Sequence, residues 1–138
     1  MRKQNAFTLI ELLIIMAIIG ILAGIILSVL DIARDKAKDA SFKSSAKSAY
    51  SAMKACCIGD AFIQEKVSGS GSDVGVCSDS GVFDGLYPGD DSIGTVVVNE
   101  QCVEGRFEVV VTPGLLNAGG CESVTYDETG EISLIGCE

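Results

Sequence analysis

Leu12 to Leu30 is a run of nineteen residues without a charged side chain, and a single carboxylate, Glu11, stands at its head. At 1.5 Å rise per residue, a helix of that length spans roughly 28 Å, close to the ~30 Å hydrocarbon core of a bilayer. Arg2 and Lys3 precede the run and Asp31 follows it. The positive-inside tendency orients the N-terminus to the cytoplasm and the remainder to the far side. A secretory signal peptide fits poorly. Its apolar region spans about 7–15 residues and its cleavage site comes after that region, whereas Leu30-Asp31-Ile32-Ala33 is a poor small-x-small site. Glu11 is costly in such a run unless it is paired, protonated or near the headgroups.

Charge divides the rest of the chain. Residues 31–54 hold six basic and three acidic side chains, and residues 55–138 hold two basic and fifteen acidic ones. The stem is therefore basic and the head strongly acidic, which argues against a nucleic-acid-binding head. There is no histidine, and none of the six cysteines (Cys56, Cys57, Cys77, Cys102, Cys121 and Cys137) forms a C-x-x-C pair. Zinc and redox motifs are poorly supported, while disulfides in an oxidising compartment fit an even count in a small head. No nucleophile elbow or placeable acid pair suggests catalysis, and no cofactor is expected.

Ala6-Phe7-Thr8-Leu9-Ile10-Glu11-Leu12-Leu13-Ile14-Ile15-Met16-Ala17-Ile18-Ile19-Gly20-Ile21-Leu22-Ala23-Gly24 resembles the N-terminus of type IV pilins and pseudopilins, a class III prepilin signal. The resemblance implies a leader, residues 1–6, cut between Ala6 and Phe7 by a prepilin peptidase. It implies N-methylation of Phe7 and pairing of Glu11 with the N-terminal amine of a neighbouring subunit. Each charge would offset the other's desolvation and set axial register. The implied partners are further copies in a helical filament, an assembly ATPase, a membrane platform and, before assembly, lipid. The precursor would be a single-pass cytoplasmic-membrane protein and the mature subunit extracellular. Two positions depart from the family: Ala6 stands where glycine is usual, and Ser28 where proline is common. Gly20 and Gly24 remain as the expected sites of unwinding, since each costs about 1 kcal/mol of helix propensity against alanine. Their spacing is also a close-packing pattern for membrane helices.

Residues 31–57 contain neither glycine nor proline, so the helix is expected to run on to about Ile58, with Gly59 as its stop. Phe42, Ala46, Ala49, Tyr50, Met53 and Cys57 form a core stripe at helical spacing. Ala33, Ala37, Ala40, Ser44, Ser48, Ser51 and Ala55 form a second stripe of small residues, suited to close approach of stems. Lysines 36, 38, 43, 47 and 54 could meet acidic heads of neighbours.

The stretch from Ile58 to Gly94 is turn-rich. Gly69-x-Gly71 precedes no convincing helix, which excludes a dinucleotide fingerprint. Asp73, Asp79, Asp84, Asp90 and Asp91 could offer oxygens to calcium, but their spacing fits no EF-hand loop and a solvated acidic loop is the better account. Strand patterns follow at Thr95–Val98, Arg106–Thr112, Cys121–Tyr126 and Glu131–Ile135, with Phe107, Val109 and Val111 on one face. Pairing Asp127 with Glu131 leaves a three-residue loop, Glu128-Thr129-Gly130. That register sets Cys121 opposite Cys137, predicting a bridge, and puts Val124, Tyr126, Ile132 and Leu134 on the other face. The partners of Cys56 and Cys57 are left as Cys77 and Cys102 in either order.

The expectation is an α+β chain: a leader (1–6), a transmembrane or filament-core helix (7–30), an amphipathic stem (31–58) and a disulfide-stabilised head (59–138) of about four antiparallel strands. The function expected is that of a structural filament subunit. A pseudopilin of a type II secretion or DNA-uptake system is the near alternative, and a membrane-tethered binding domain that never polymerises the distant one.

Overall fold

The computed structural model describes residues 7–70, 73–115 and 119–137. Ala6, with the rest of the expected leader, residues 1–6, and Gly71 lie outside the described residues. The fold is α+β, one long N-terminal helix and a four-stranded antiparallel sheet. Helix α1 runs unbroken over Leu9–Ile58, fifty residues, passing through Gly20 and Gly24. Thr8, the residue before it, is its side-chain cap. The helix ends in a Schellman arrangement: the Ala61 amide donates to Cys56 O at 2.9 Å and the Asp60 amide to Cys57 O at 3.4 Å. The left-handed residue is Asp60, at φ 59°, and not Gly59. Aspartate tolerates that conformation, while Gly59 is required for space, because a Cβ there would run into Val82.

The chain forms two compact units, one reaching Arg34 and the other from Asp35 onward. In the first, every large apolar side chain from Phe7 to Ile32 is between 44% and 81% exposed. The second holds the core. Phe42, Ala46, Ala49, Met53, Cys56 and Cys57 of α1 are buried with Val96, Phe107, Val109, Val111, Val124 and Tyr126 of the sheet. Tyr50 is half-buried and links the layers, its ring 6.0 Å from that of Phe107 and 4.9 Å from that of Tyr126. The small-residue stripe at Ala37, Ala40, Ser44, Ser48 and Ser51 is exposed.

The strands β1 (Ile93–Val103), β2 (Arg106–Pro113), β3 (Ser123–Asp127) and β4 (Gly130–Ile135) lie in the order β1-β2-β3-β4, each antiparallel to the next. Val103 pairs with Arg106 across Glu104 and Gly105, both at positive φ, as a two-residue type I′ turn demands. The last hairpin differs from expectation at its tip. Asp127 pairs with Gly130, not Glu131, and the loop is two residues, Glu128 and Thr129. The Asp127 carboxylate explains the tighter turn: its Oδ1 accepts from the Thr129 amide at 2.7 Å, the Thr129 hydroxyl at 2.6 Å and the Gly130 amide at 3.0 Å. A shift between Thr125 and Tyr126 then restores the expected register, with Thr125 opposite Ser133 and Val124 opposite Leu134. Burial along the Val124 face is uneven. Val124 and Tyr126 are buried, but Ile132 and Leu134 are 50% and 40% exposed, because β4 is the sheet's outer strand.

The opposite edge is covered. Residues 63–66 run along β1, where Lys66 and Val96 exchange backbone hydrogen bonds and the Gln101 side chain bonds both backbone groups of Ile63. Lys66 is buried, paired with Asp90 and donating to Ile93 O at 3.1 Å.

Candidate functional site

Thr8-Leu9-Ile10-Glu11 forms a capping box at the start of α1. The Thr8 amide donates to Glu11 Oε2 at 3.0 Å and the Thr8 hydroxyl donates to the same oxygen at 2.8 Å. The Glu11 amide points back to Thr8 Oγ1 at 3.4 Å. The reciprocal bonds satisfy amides that every helix N-terminus leaves unpaired. Glu11 therefore turns back onto its own first turn, but onto Thr8 rather than Phe7, whose side chain is 76% exposed. Thr8 went unremarked in the sequence, although Thr-x-x-Glu before an apolar run is the signature of this motif.

Below this turn the helix is a continuous apolar surface. It is the one helix among the described residues long and apolar enough to cross a membrane. Nothing lies within 4 Å of where a Cβ would stand on Gly20 or Gly24. Ser28 donates to Ile25 O at 2.9 Å, a bond to the helix's own backbone that spares the hydroxyl an unpaired position in an apolar setting.

In the head, Cys56 is bonded to Cys77, Cys57 to Cys102 and Cys121 to Cys137, with Cα separations of 5.4, 5.2 and 4.0 Å. Adjacent helical cysteines diverge by about 100°, so one reaches the loop and the other strand β1. The third bond ties the ends of the last hairpin together. Between them the three bonds anchor the C-terminal end of α1 to the loop and β1, and close β3–β4 upon itself.

Two buried polar side chains escaped the sequence reading. Asp39 is 5% exposed and accepts from the Cys121 amide at 3.1 Å and the Gly120 amide at 3.4 Å. The available signal was its place on the core stripe, three residues before Phe42. Lys66 offers no comparable signal, because its partner Asp90 is brought to it by the fold. Two of the loop acids are engaged in local structure: Asp79 accepts from the Gly81 amide at 2.8 Å and Asp90 pairs with Lys66. Among the described residues no three of the histidine, cysteine, aspartate or glutamate side chains are grouped to hold a metal ion. Every buried side-chain nitrogen and oxygen there has a hydrogen-bond partner.

Burial pushes the Tyr87 phenol well above its ordinary value. Burial, with help from the charge of Glu131 and from Tyr50, pushes Tyr126 up to about 12. The Thr129 hydroxyl, then the backbone amides of Thr129 and Gly130, hold Asp127 below the usual carboxylate range.

Residues 1–27 match a family model described as the prokaryotic N-terminal methylation motif. No curated protein and no solved structure matches the chain. The motif and the apolar helix behind it fit a membrane-anchored precursor, and the motif implies processing by a prepilin peptidase. Together with a long helix packed on a four-stranded antiparallel sheet, the match makes this chain similar to type IV pilins and pseudopilins and indicates a pilin-like precursor.

Proposed function

We propose that the mature chain is a structural pilin, cut before Phe7, methylated there, and polymerised through α1 into an extracellular filament. The observation that carries this reading is the unbroken apolar surface from Leu12 to Leu30, with every large side chain 44–66% exposed. Such a surface needs cover. Lipid supplies it before assembly, and the helices of neighbouring subunits supply it afterwards.

Residues 1–6 then serve as the leader, 7–30 as the filament core, 31–58 as the stem and 59–138 as the head. Glu11 has a place in both states. In the isolated subunit Thr8 occupies one of its oxygens. Cleavage creates a cationic amine on Phe7 one residue away, and a neighbour's Glu11 presents an anion to it. An anion and cation that meet in an apolar medium offset each other's desolvation and select one axial register. Gly20 and Gly24 supply the weak helical stretch that can extend as subunits are drawn out of the bilayer. An assembly ATPase and a membrane platform are the machinery this reading requires.

The test is the mass of the mature N-terminal peptide together with filament yield. A monomethylated Phe7 terminus and sheared surface filaments are expected. A protein that keeps residues 1–6 and stays monomeric in cells would instead be a tethered domain.

A further inference from the structure

The outward side of α1 in the head unit has two unlike flanks. At about 100° per residue, Lys36, Lys43, Lys47 and Lys54 fall within roughly 40° of one line along the helix. That line borders a cleft of about 460 Å³ between α1 and the β3–β4 hairpin, lined by Lys43, Ser44, Lys47, Tyr50, Tyr126 and Glu131 among others. Tyr50 and Tyr126 stack at 4.9 Å to form its apolar wall, and the Lys54 ammonium stands 5.9 Å from the Tyr50 ring centre. Lys54 Nζ and the Tyr50 hydroxyl both donate to Glu128 O, at 3.2 and 3.4 Å, which holds the hairpin turn against the helix. The cleft is thus a fixed feature whose lysines outnumber its one acid.

The other flank of α1 carries the loop. Ser48 and Ala52 there face Val76, Phe83, Leu86 and Pro88 across a groove of about 260 Å³. Asp79, Asp84 and Asp91 of this loop are exposed, as is Leu86 at 57%. No lysine or arginine occurs between Lys66 and Arg106. Between the two flanks lies the exposed small-residue stripe, including Ser44 and Ser51, which holds no side chain large enough to keep a second surface away.

A basic, aromatic cleft and an acidic segment with an exposed leucine complement each other in charge and in apolar surface. They lie on opposite sides of one helix, so one chain does not bring them together. A second copy in the same orientation can present one patch to the other. Contact between two different patches is heterologous, and it repeats along a filament rather than closing into a dimer. We propose that the lysine-edged tyrosine cleft of one subunit receives the acidic 79–91 segment of a second copy of this chain. The proposal rests on the polymerising reading above and names the surface by which heads join. Exposed ion pairs are individually weak and screened by salt, so the contact depends on several charges acting with the apolar surface of Leu86 and the half-exposed Tyr50.

The test uses the full chain in filament-bearing cells. All six native cysteines are in disulfides, so a bismaleimide reports only on added thiols. Lys47→Cys with Asp84→Cys in one chain is expected to yield a cross-linked ladder extending beyond dimers, and either change alone none. Dimers without higher rungs, or filaments without any ladder, would overturn the proposal while leaving polymerisation itself standing. So would adducts to nucleic acid or to another protein in place of a second copy. Absence of filaments from the unaltered chain would overturn both readings. Independently, Lys43→Glu with Lys47→Glu is expected to cut filament yield about tenfold or more, and adding Asp84→Lys and Asp91→Lys to restore it to within about threefold. Failure of the reversed pair to restore yield would count against the contact. Accumulation of processed, disulfide-intact subunits in the membrane distinguishes loss of contact from loss of folding.

Discussion

The carboxylate of Asp39, on α1, accepts the backbone amide of Cys121 at 3.1 Å and that of Gly120 at 3.4 Å. A helix side chain thereby holds the chain at the entrance to the last hairpin, directly beside the Cys121–Cys137 bond. Gly119 makes room for it, since a Cβ there would collide with the Asp39 carboxylate. Asp39→Ala strips two amides of their acceptor in a buried place, at a cost of about 1–3 kcal/mol. For a domain near this size the melting temperature should fall by several degrees, roughly 4–8 °C per kcal/mol. Thermal unfolding of the full chain in detergent, with disulfides intact, checks this. An unchanged midpoint would show that water replaces the carboxylate.

In the proposed filament Glu11 has two separable jobs, capping its own helix, as the Thr8 bonds show, and presenting a charge to a neighbour. Glu11→Gln keeps an oxygen that accepts from the Thr8 amide and hydroxyl but removes the charge. The first turn of α1 should then stay protected from amide hydrogen exchange, while filament yield collapses. Thr8→Val does the reverse: it frays the first turn but leaves the anion for a neighbour's amine, so cleavage persists and filaments form in reduced amount. Equal filament loss from both changes, with equal fraying, would mean that the cap alone matters.

How much of this was legible in the sequence follows from how local each feature is. The long helix, the alternation Phe107-Val109-Val111 and the pairing of Val124 with Leu134 depend on periodicity, and periodicity is visible in a single chain. The hairpin tip was misjudged because a glycine in the left-handed place was given more weight than an aspartate side chain able to bond three donors at once. Alternation places Ile132 and Leu134 on the face of Val124 and Tyr126, but how far that face is covered depends on where the helix runs out, which alternation does not carry. Asp39 and Lys66 were missed for the opposite reason: each is buried only because residues about 81 and 24 positions away meet it. The Thr8–Glu11 cap is fully legible, because Thr-x-x-Glu before an apolar run is a local pattern.

Asp127 gives an acid-side prediction. Its folded pKa lies below the ordinary value of 3.8, chiefly through the Thr129 hydroxyl. A depressed carboxylate stabilises the fold above the unfolded pKa, and that stability is lost as pH falls through the folded one. Denaturant midpoints of the unaltered chain should therefore drop between about pH 4 and the acid limit. Asp127→Asn should lower the midpoint at neutral pH and flatten this part of the profile. A parallel profile would place the acid sensitivity elsewhere.

The buried phenols give the alkaline counterpart. Tyr126 is raised to about 12, and Tyr87 is raised by burial with its hydroxyl donating to Gln64 O at 2.7 Å. A raised folded pKa contributes stability that is fully present below the unfolded value, 10.0, and is lost as pH rises through the folded one. Phenolate absorbance should lag behind that of a free tyrosine mixture and then rise together with unfolding. Tyr87→Phe should remove part of the lag and leave Gln64 O without its donor.

The disulfides differ in how much chain they close. Cys57–Cys102 spans 45 residues and Cys121–Cys137 spans 16. On loop entropy alone the wider loop confers about 0.9 kcal/mol more stability, because the stabilisation grows with the logarithm of loop length. Location favours the same order. The wider bond joins α1 to β1, whereas the narrower one joins the two ends of a hairpin that pairs through its own backbone. Replacing Cys57 and Cys102 together by serine should thus lower the unfolding midpoint more than replacing Cys121 and Cys137. The second change should instead loosen β4 selectively, seen as faster amide exchange at Ser133 and Ile135 with little effect at Val109. If the hairpin variant proves the less stable of the two, local closure of the outermost strand outweighs both chain entropy and the link between helix and sheet.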